Sequence, residues 1–219
     1  MNRCNRMECI WLWSLEDENE ELNGSQYQCW LQTLERIEIH ECGILYTLFK
    51  GIPTPTCPSI LPFFSLKELI IMKCHNLKNV ISSSWLLQLL QNLEVIIVQH
   101  FDELEELIGD DEEEESRNNE TPITIPRLKD LKFWNLPKLK RIWRGVMICN
   151  SLEMVDIRNC SELKRLPQFK GAEQSTPPTS LKAIEGSREW WDLLEWDPAF
   201  PQNILQPFFY EWDPTYASK

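Results

Sequence analysis

The stretch from Leu66 to Ile81 reads LKELIIMKCHNLKNVI, and the stretch from Leu152 to Pro167 reads LEMVDIRNCSELKRLP. Laid over each other, they place Leu66, Leu69, Ile71, Cys74, Leu77 and Val80 against Leu152, Val155, Ile157, Cys160, Leu163 and Leu166. Adding the residue three places before each stretch, Phe63 and Cys149, gives seven apolar positions separated by 3, 3, 2, 3, 3 and 3 residues. Working outward, the same steps fit Leu31 to Leu48, Leu90 to Leu107 and Ile125 to Ile142. Five matches to one seven-point template are not a chance pattern, so the chain is built from internal repeats.

The two-residue step is a strand signature, because Ile37 and Ile39 point one way while Glu38 between them points the other. The three-residue steps suit turns that bring the chain back over the same core. Each unit is therefore a short strand, a turn and an irregular return, and it must stack on its neighbours to bury its apolar side. This is the spacing of a leucine-rich repeat. The fold class is α/β: an irregular horseshoe solenoid with short parallel strands on the concave face and mostly irregular or short helical returns. Taken at the Cys42 position, the units step by 32, 27, 35 and 24 residues, through Cys74, Phe101, Leu136 and Cys160.

The solenoid is expected over residues 1–196. Full repeats lie near 31–48, 63–80, 90–107, 125–142 and 149–166, and Cys4, Met7 and Ile10 give a partial repeat at 1–13. A degenerate repeat at 178–196 breaks the template at Glu189 and then supplies Trp190, Trp191 and Trp196, which suits a cap over the last apolar face. With no such cap before the first unit, the chain reads as the C-terminal portion of something longer. Ser84 to Leu93 reads as a short capped helix in a return. Residues 109–122, with Asp110 to Glu115, read as an acidic disordered loop, and 197–219 as a Pro-rich tail.

Composition excludes several functions. A net charge of −12 and the lack of a basic stripe argue against nucleic acid. No apolar run approaches 18 residues, so no membrane span is expected. Cys4, Cys42, Cys74 and Cys160 share one inward position as reduced thiols, which points to a reducing compartment, the cytosol or nucleus, with a cytoplasmic protein expected. Neither a phosphate loop nor a GxSxG, HExxH or paired-cysteine zinc pattern is present. His40, His75 and His100 fall at three different offsets and would not converge on one ion. No catalytic, cofactor-binding or metal residue is expected, and the protein is not expected to be an enzyme.

What remains is the outward grid of the strands. It runs through Arg36, Glu38 and His40 to Met154, Asp156 and Arg158, with an apolar middle. Ile70, Met72, Val95, Ile97, Lys132, Trp134 and Arg158 are the candidate partner-binding residues. A contiguous exposed apolar patch marks a contact site, and Trp with Arg is typical of interface anchors.

The two quoted units, with Cys after each strand, the DDEEEE run at 110–115 and the closing EWWDLLEW at 189–196, resemble the C-terminal repeats of plant disease resistance proteins of the coiled-coil, nucleotide-binding, leucine-rich-repeat class. The resemblance implies protein partners: a nucleotide-binding module of the same or another receptor, held in its resting state, and a pathogen effector or guarded host protein. It covers about residues 1–196 and brings no nucleotide-binding module with it. A repeat-only substrate adaptor of a ubiquitin ligase, or a truncated fragment without function, are the alternative readings.

Overall fold

The structure, a computed structural model, describes residues 11–12, 33–43, 45, 49–50, 65–77, 79–81, 91–109, 122–143, 145–171 and 177–212. Seven short parallel strands form one sheet: β1 (Arg36–His40), β2 (Glu68–Met72), β3 (Val95–Gln99), β4 (Asp130–Trp134), β5 (Met154–Arg158), β6 (Ala183–Gly186) and β7 (Phe209–Glu211). They stand side by side in chain order. Ile37 pairs with Leu69, Leu69 with Ile96, Ile96 with Leu131, Leu131 with Val155 and Val155 with Ile184. These are the partners that the apolar template aligns, so the repeat spacing of the sequence is the pairing register of the sheet.

Inward side chains alternate along each strand, and Leu69, Ile71, Leu131, Phe133 and Val155 have no exposed surface. Burying each such side chain is worth about 1.5–3 kcal/mol. The three-residue steps after each strand place Cys74, Leu77, Phe101, Leu104, Leu136, Leu139, Cys160 and Leu163 in the same core. Further short parallel pairs tie the returns together: Trp11–Leu12 with Phe49–Lys50, Asn79–Ile81 with Glu106–Ile108, and Val146–Ile148 with both Ile123–Thr124 and Gln168–Lys170.

The turn leaving each of the first five strands has one recurrent feature. Glu41, Lys73, His100, Asn135 and Asn159 all have φ between 54° and 59°. This left-handed residue swings the chain away from the sheet while its N–H still donates to the next strand, as Glu41 does to Met72 and His100 to Trp134. Only two of the five are Asn, the residue other than Gly that adopts this backbone most readily. Their side chains form a ladder in which Asn159 Nδ2 donates to Asn135 Oδ1 at 2.7 Å and Asn135 lies 3.3 Å from His100 Nδ1.

A second ladder precedes the strands. Glu35, Lys67, Glu94, Lys129, Glu153 and Lys182 alternate in sign from one repeat to the next. Lys67 bonds Glu35 at 2.9 Å, Lys129 bonds Glu94 at 2.7 Å, and Lys182 bonds Glu153. Each pair is exposed and weak alone. Shifting the stack by one repeat would place like charges together, so the alternation favours one order of repeats.

The C-terminal end differs from the sequence expectation. Residues 197–219 read as a Pro-rich tail outside the repeats, but β7 lies within them and pairs with β6: Ile184 opposite Phe209, and Glu185 opposite Tyr210. Apolar burial is the reason. Phe200 and Leu205 are buried, and Phe209 stacks on Trp191 at 4.4 Å. Trp191 sits in the short helix α1 (Arg188–Asp192), whose N-cap is Ser187. Trp190 packs so closely on Gly186 that an added Cβ would lie 2.5 Å from its ring, so only glycine fits there. Trp190 Nε1 donates to the Leu163 carbonyl at 3.0 Å, joining the helix to the repeat before it.

The partial repeat at 1–13 apart from Trp11 and Leu12, the helix expected at Ser84–Leu93 up to Leu90, and the acidic run 110–121 lie outside the described residues, as does the tail beyond Trp212.

Candidate protein-docking face

Alternate residues of each strand face the core, so those between them form a grid on the open face of the sheet. Its central row is Glu38, Ile70, Ile97, Lys132, Asp156, Glu185 and Tyr210, each paired with the next across the sheet. Val95 lies in the row on one side, between Glu68 and Asp130. Met72, Gln99, Trp134 and Arg158 follow one another in the row on the other side. The structure therefore brings all seven sequence-predicted contact residues onto one face, although Gln99 separates Met72 from Trp134.

One of the seven is less accessible than the sequence reading supposed. Ile70 is only 8% exposed, because it sits between Glu38 and Ile97 with Leu69 and Ile71 in the core behind it. Met72, Val95, Ile97 and Lys132 are half-buried. The accessible apolar surface is thus Ile97, Val95 and Met72, with Ile70 as its floor.

Polar groups gather at the two ends of this patch. At the β1–β2 end, Arg36 bonds Glu38 at 2.7 Å and also bonds Glu68, and His40 Nε2 lies 2.7 Å from Glu38. The hydrogen bonds from Arg36 and then His40 hold the Glu38 carboxyl below the usual carboxylate range. At the β5–β6 end, Arg158 grips Asp156 through Nε at 2.7 Å and Nη2 at 2.6 Å, and lies 3.5 Å from Glu185. Asp156 is 3% exposed, and this fork is what permits its burial. Between the ends, Lys132 lies 3.7 Å from Asp130.

Arg158 is also held face-on. Its guanidinium carbon lies 4.5 Å from the Trp134 ring and 4.8 Å from the Trp212 ring, so it is clamped between two indoles. Trp212 and the exposed Tyr210 were not among the sequence-predicted residues. Their signal was the two-residue spacing of Tyr210 and Trp212, hidden by its position after Pro207. Trp134 Nε1 is buried without a hydrogen-bond partner.

Off this face, a cleft of about 400 Å³ is lined by Arg141, Trp143, Arg165, Glu195 and Trp196 among others. Its arginines are engaged, Arg165 with Glu195 at 2.8 Å and Arg141 with Glu106 at 3.0 Å. His40 pairs with Glu38, His75 with Asp102 at 3.2 Å, and His100 stands on the asparagine ladder, so the three histidines occupy separate places. Among the described residues no group of His, Cys, Asp and Glu is arranged to hold a metal ion, and no helix is long and apolar enough to cross a membrane. Burial raises the Cys74 thiol to about 11 and the Cys149 and Cys160 thiols to about 12, which makes them poor nucleophiles.

Comparison with known proteins gives the same picture. The family model for the leucine-rich repeats of plant disease resistance proteins of the RPS2-like kind matches residues 53–174. Disease resistance protein At4g27190 of Arabidopsis thaliana is 31% identical over 66% of this chain and 13% of its own length. Disease resistance protein RPS5 of the same plant is 29% identical over 83% of this chain and 20% of its own. Disease resistance protein SUMM2, also of Arabidopsis thaliana, is 23% identical over 99% of this chain and 24% of its own. The chain thus spans a quarter or less of the length of these relatives. No solved structure matches it. With the repeat register, the parallel sheet and the family match in agreement, the chain belongs to the leucine-rich-repeat family of plant disease resistance proteins.

Proposed function

We propose that this chain is a protein-docking repeat domain of a plant intracellular immune receptor, and that its open sheet face is where partners bind. Two partner classes fit. One is a pathogen effector, or the host protein it attacks. The other is a nucleotide-binding module, of the same or another receptor, which the repeats hold at rest. Such a domain works as a two-state switch, because a partner that binds one state better shifts the balance. In this reading it performs no chemistry of its own and acts in the cytoplasm, where thiols such as Cys74 and Cys149 stay reduced.

The observation that carries the reading is the half-buried patch of Met72, Val95 and Ile97, set on a rigid sheet between two arginine-centred clusters. The relatives are named for disease resistance, which supplies the biological setting. The test is recovery of tagged chain from plant cells beside a Met72→Glu/Ile97→Glu variant, with circular dichroism to show that both are folded. The variant is expected to lose the proteins that the parent chain captures. A folded variant that still captures all of them would remove the open face from the proposal.

A further inference from the structure

The charges on the open face are unevenly balanced, and the imbalance has a pattern. At the β1–β2 end, two carboxylates, Glu38 and Glu68, share one guanidinium, Arg36. At the β5–β6 end, Asp156 and Glu185 share Arg158 in the same way. In the middle Asp130 is matched by Lys132, and Ile97, Val95 and Met72 carry no charge. With His40, which also bonds Glu38, counted as neutral, each end has one negative charge in excess, with a neutral apolar patch between them. The C-terminal end adds Tyr210, opposite Glu185 and exposed, so a π face stands next to the surplus carboxylate. An aromatic ring beside a carboxylate is a favourable environment for a cation. At about 4.8 Å per strand, the two ends lie roughly 20 Å apart.

We propose that the open face takes a protein segment with an aliphatic centre flanked on both sides by lysine or arginine. The aliphatic centre rests on Ile97, Val95 and Met72. One cation is received by Glu38 and Glu68 and the other by Glu185 and Tyr210. The proposal rests on the docking role given to this face above and adds the chemistry of the partner. Charge complementarity of this kind chooses between partners and speeds their encounter more than it adds affinity.

The probe is a synthetic peptide, Lys-Lys-Ser-Ile-Val-Ile-Ser-Lys-Lys, blocked at both ends and dye-labelled, titrated with the whole chain by fluorescence anisotropy. Its twins carry Glu or Ser in place of every Lys. The lysine peptide is expected to bind about tenfold tighter than the glutamate twin, since like charges placed together are strongly disfavoured. That preference should shrink as ionic strength rises to about 0.5 M, because these charges are open to solvent. Glu38→Gln with Glu185→Gln should remove most of the preference, while Ile97→Asn should weaken every peptide.

Equal binding of the lysine and serine peptides, both weakened by Ile97→Asn, would overturn this inference and leave the docking face standing. Tighter binding of the glutamate twin would overturn it in favour of an acidic partner. If no peptide binds and the chain sediments as a dimer that Ile97→Asn breaks, the face belongs to a second copy and the inference also fails. Binding of no peptide, together with capture of the same plant proteins by the Met72→Glu/Ile97→Glu variant, would overturn both the inference and the docking role.

Discussion

The two ends of the sheet are built differently. At β1, Ile37 is buried, but Leu34 and Ile39 beside it are only partly so. At the other end Trp191 and Leu205 have no exposed surface, and Phe200 keeps 3%. Trp191 meets Trp190 and Trp196 edge-on at 6.2 and 5.1 Å and stacks on Phe209. The repeats between them follow one template, so the difference lies in what covers the last core layer. Four aromatic rings and a seventh strand close the C-terminal end, whereas β1 is the outermost strand of the described sheet on its side. A stack whose stability adds up layer by layer should then lose most when the covered end is opened.

The largest effect expected is therefore from Trp191→Ala. Truncating a fully buried tryptophan costs about 3–5 kcal/mol, and this one also leaves Gln206 without its indole donor at 3.1 Å. Ile37→Ala at the other end should cost less, because it removes a smaller side chain whose neighbours Leu34 and Ile39 are only partly buried. Urea unfolding of both variants compares the two ends directly. Equal losses would mean that β1 is covered as well as β6 is.

Alkali provides a second comparison between regions. Burial raises Cys74 to about 11, and Cys149 and Cys160 to about 12, from an ordinary 9.0. Above pH 9 the unfolded chain releases these protons while the folded chain keeps them, so the unfolded state binds fewer and stability falls as pH rises. The thiol contribution is complete below pH 9 and is lost progressively up to about 12. Cys149→Ala and Cys160→Ala should flatten the alkaline limb of a stability–pH profile more than Cys74→Ala does. A limb of unchanged slope in all three would show that the thiols do not govern it.

A third comparison sets Arg158 against Arg36. Both share themselves between two carboxylates, but Asp156 is buried and Glu38 is exposed. Arg158→Ala leaves a buried carboxylate without its fork and releases both tryptophan rings, at a cost of about 2–4 kcal/mol. Arg36→Ala should leave the unfolding midpoint unchanged, as is usual for exposed pairs. Thermal melts of the two variants separate a structural arginine from a surface one.

The inward face was legible in the sequence because its rule is local: apolar residues at fixed offsets have to reach one core, and Leu69, Ile96, Leu131 and Val155 do. The outward face was legible only in part, since exposure there depends on which strands lie alongside. Ile70 and Asp156 read as exposed but are buried by neighbours about 25 to 30 residues away in the chain, Ile97 and Glu185 among them. The clamp on Arg158 needs Trp212, which follows a proline-rich stretch that carries no repeat template. Pairing of β7 with β6 could not be inferred from spacing, because the seven-point pattern ends at Glu189 and only the burial of Trp191 against Phe209 fixes the strand.

A last and small change of stability concerns the turns, and it again contrasts the two halves. Left-handed backbone costs a residue with a Cβ about 1–2 kcal/mol, and a short polar side chain relieves part of that. In the C-terminal half the position is Asn135 and Asn159, while in the N-terminal half it is Glu41 and Lys73. Lys73→Asn should therefore stabilise the chain by about 0.5 kcal/mol, because asparagine adopts this conformation at less cost than lysine does. The gain is reduced by the lost ion pair to Glu41, 3.3 Å long and exposed, which contributes little. The reverse change, Asn135→Lys, should cost more than Lys73→Asn gains, because Asn135 also joins His100 to Asn159 on the ladder. Urea midpoints for the two variants decide the point: opposite signs assign the turn energy to the backbone, and a Lys73→Asn loss would assign it to the Glu41 pair.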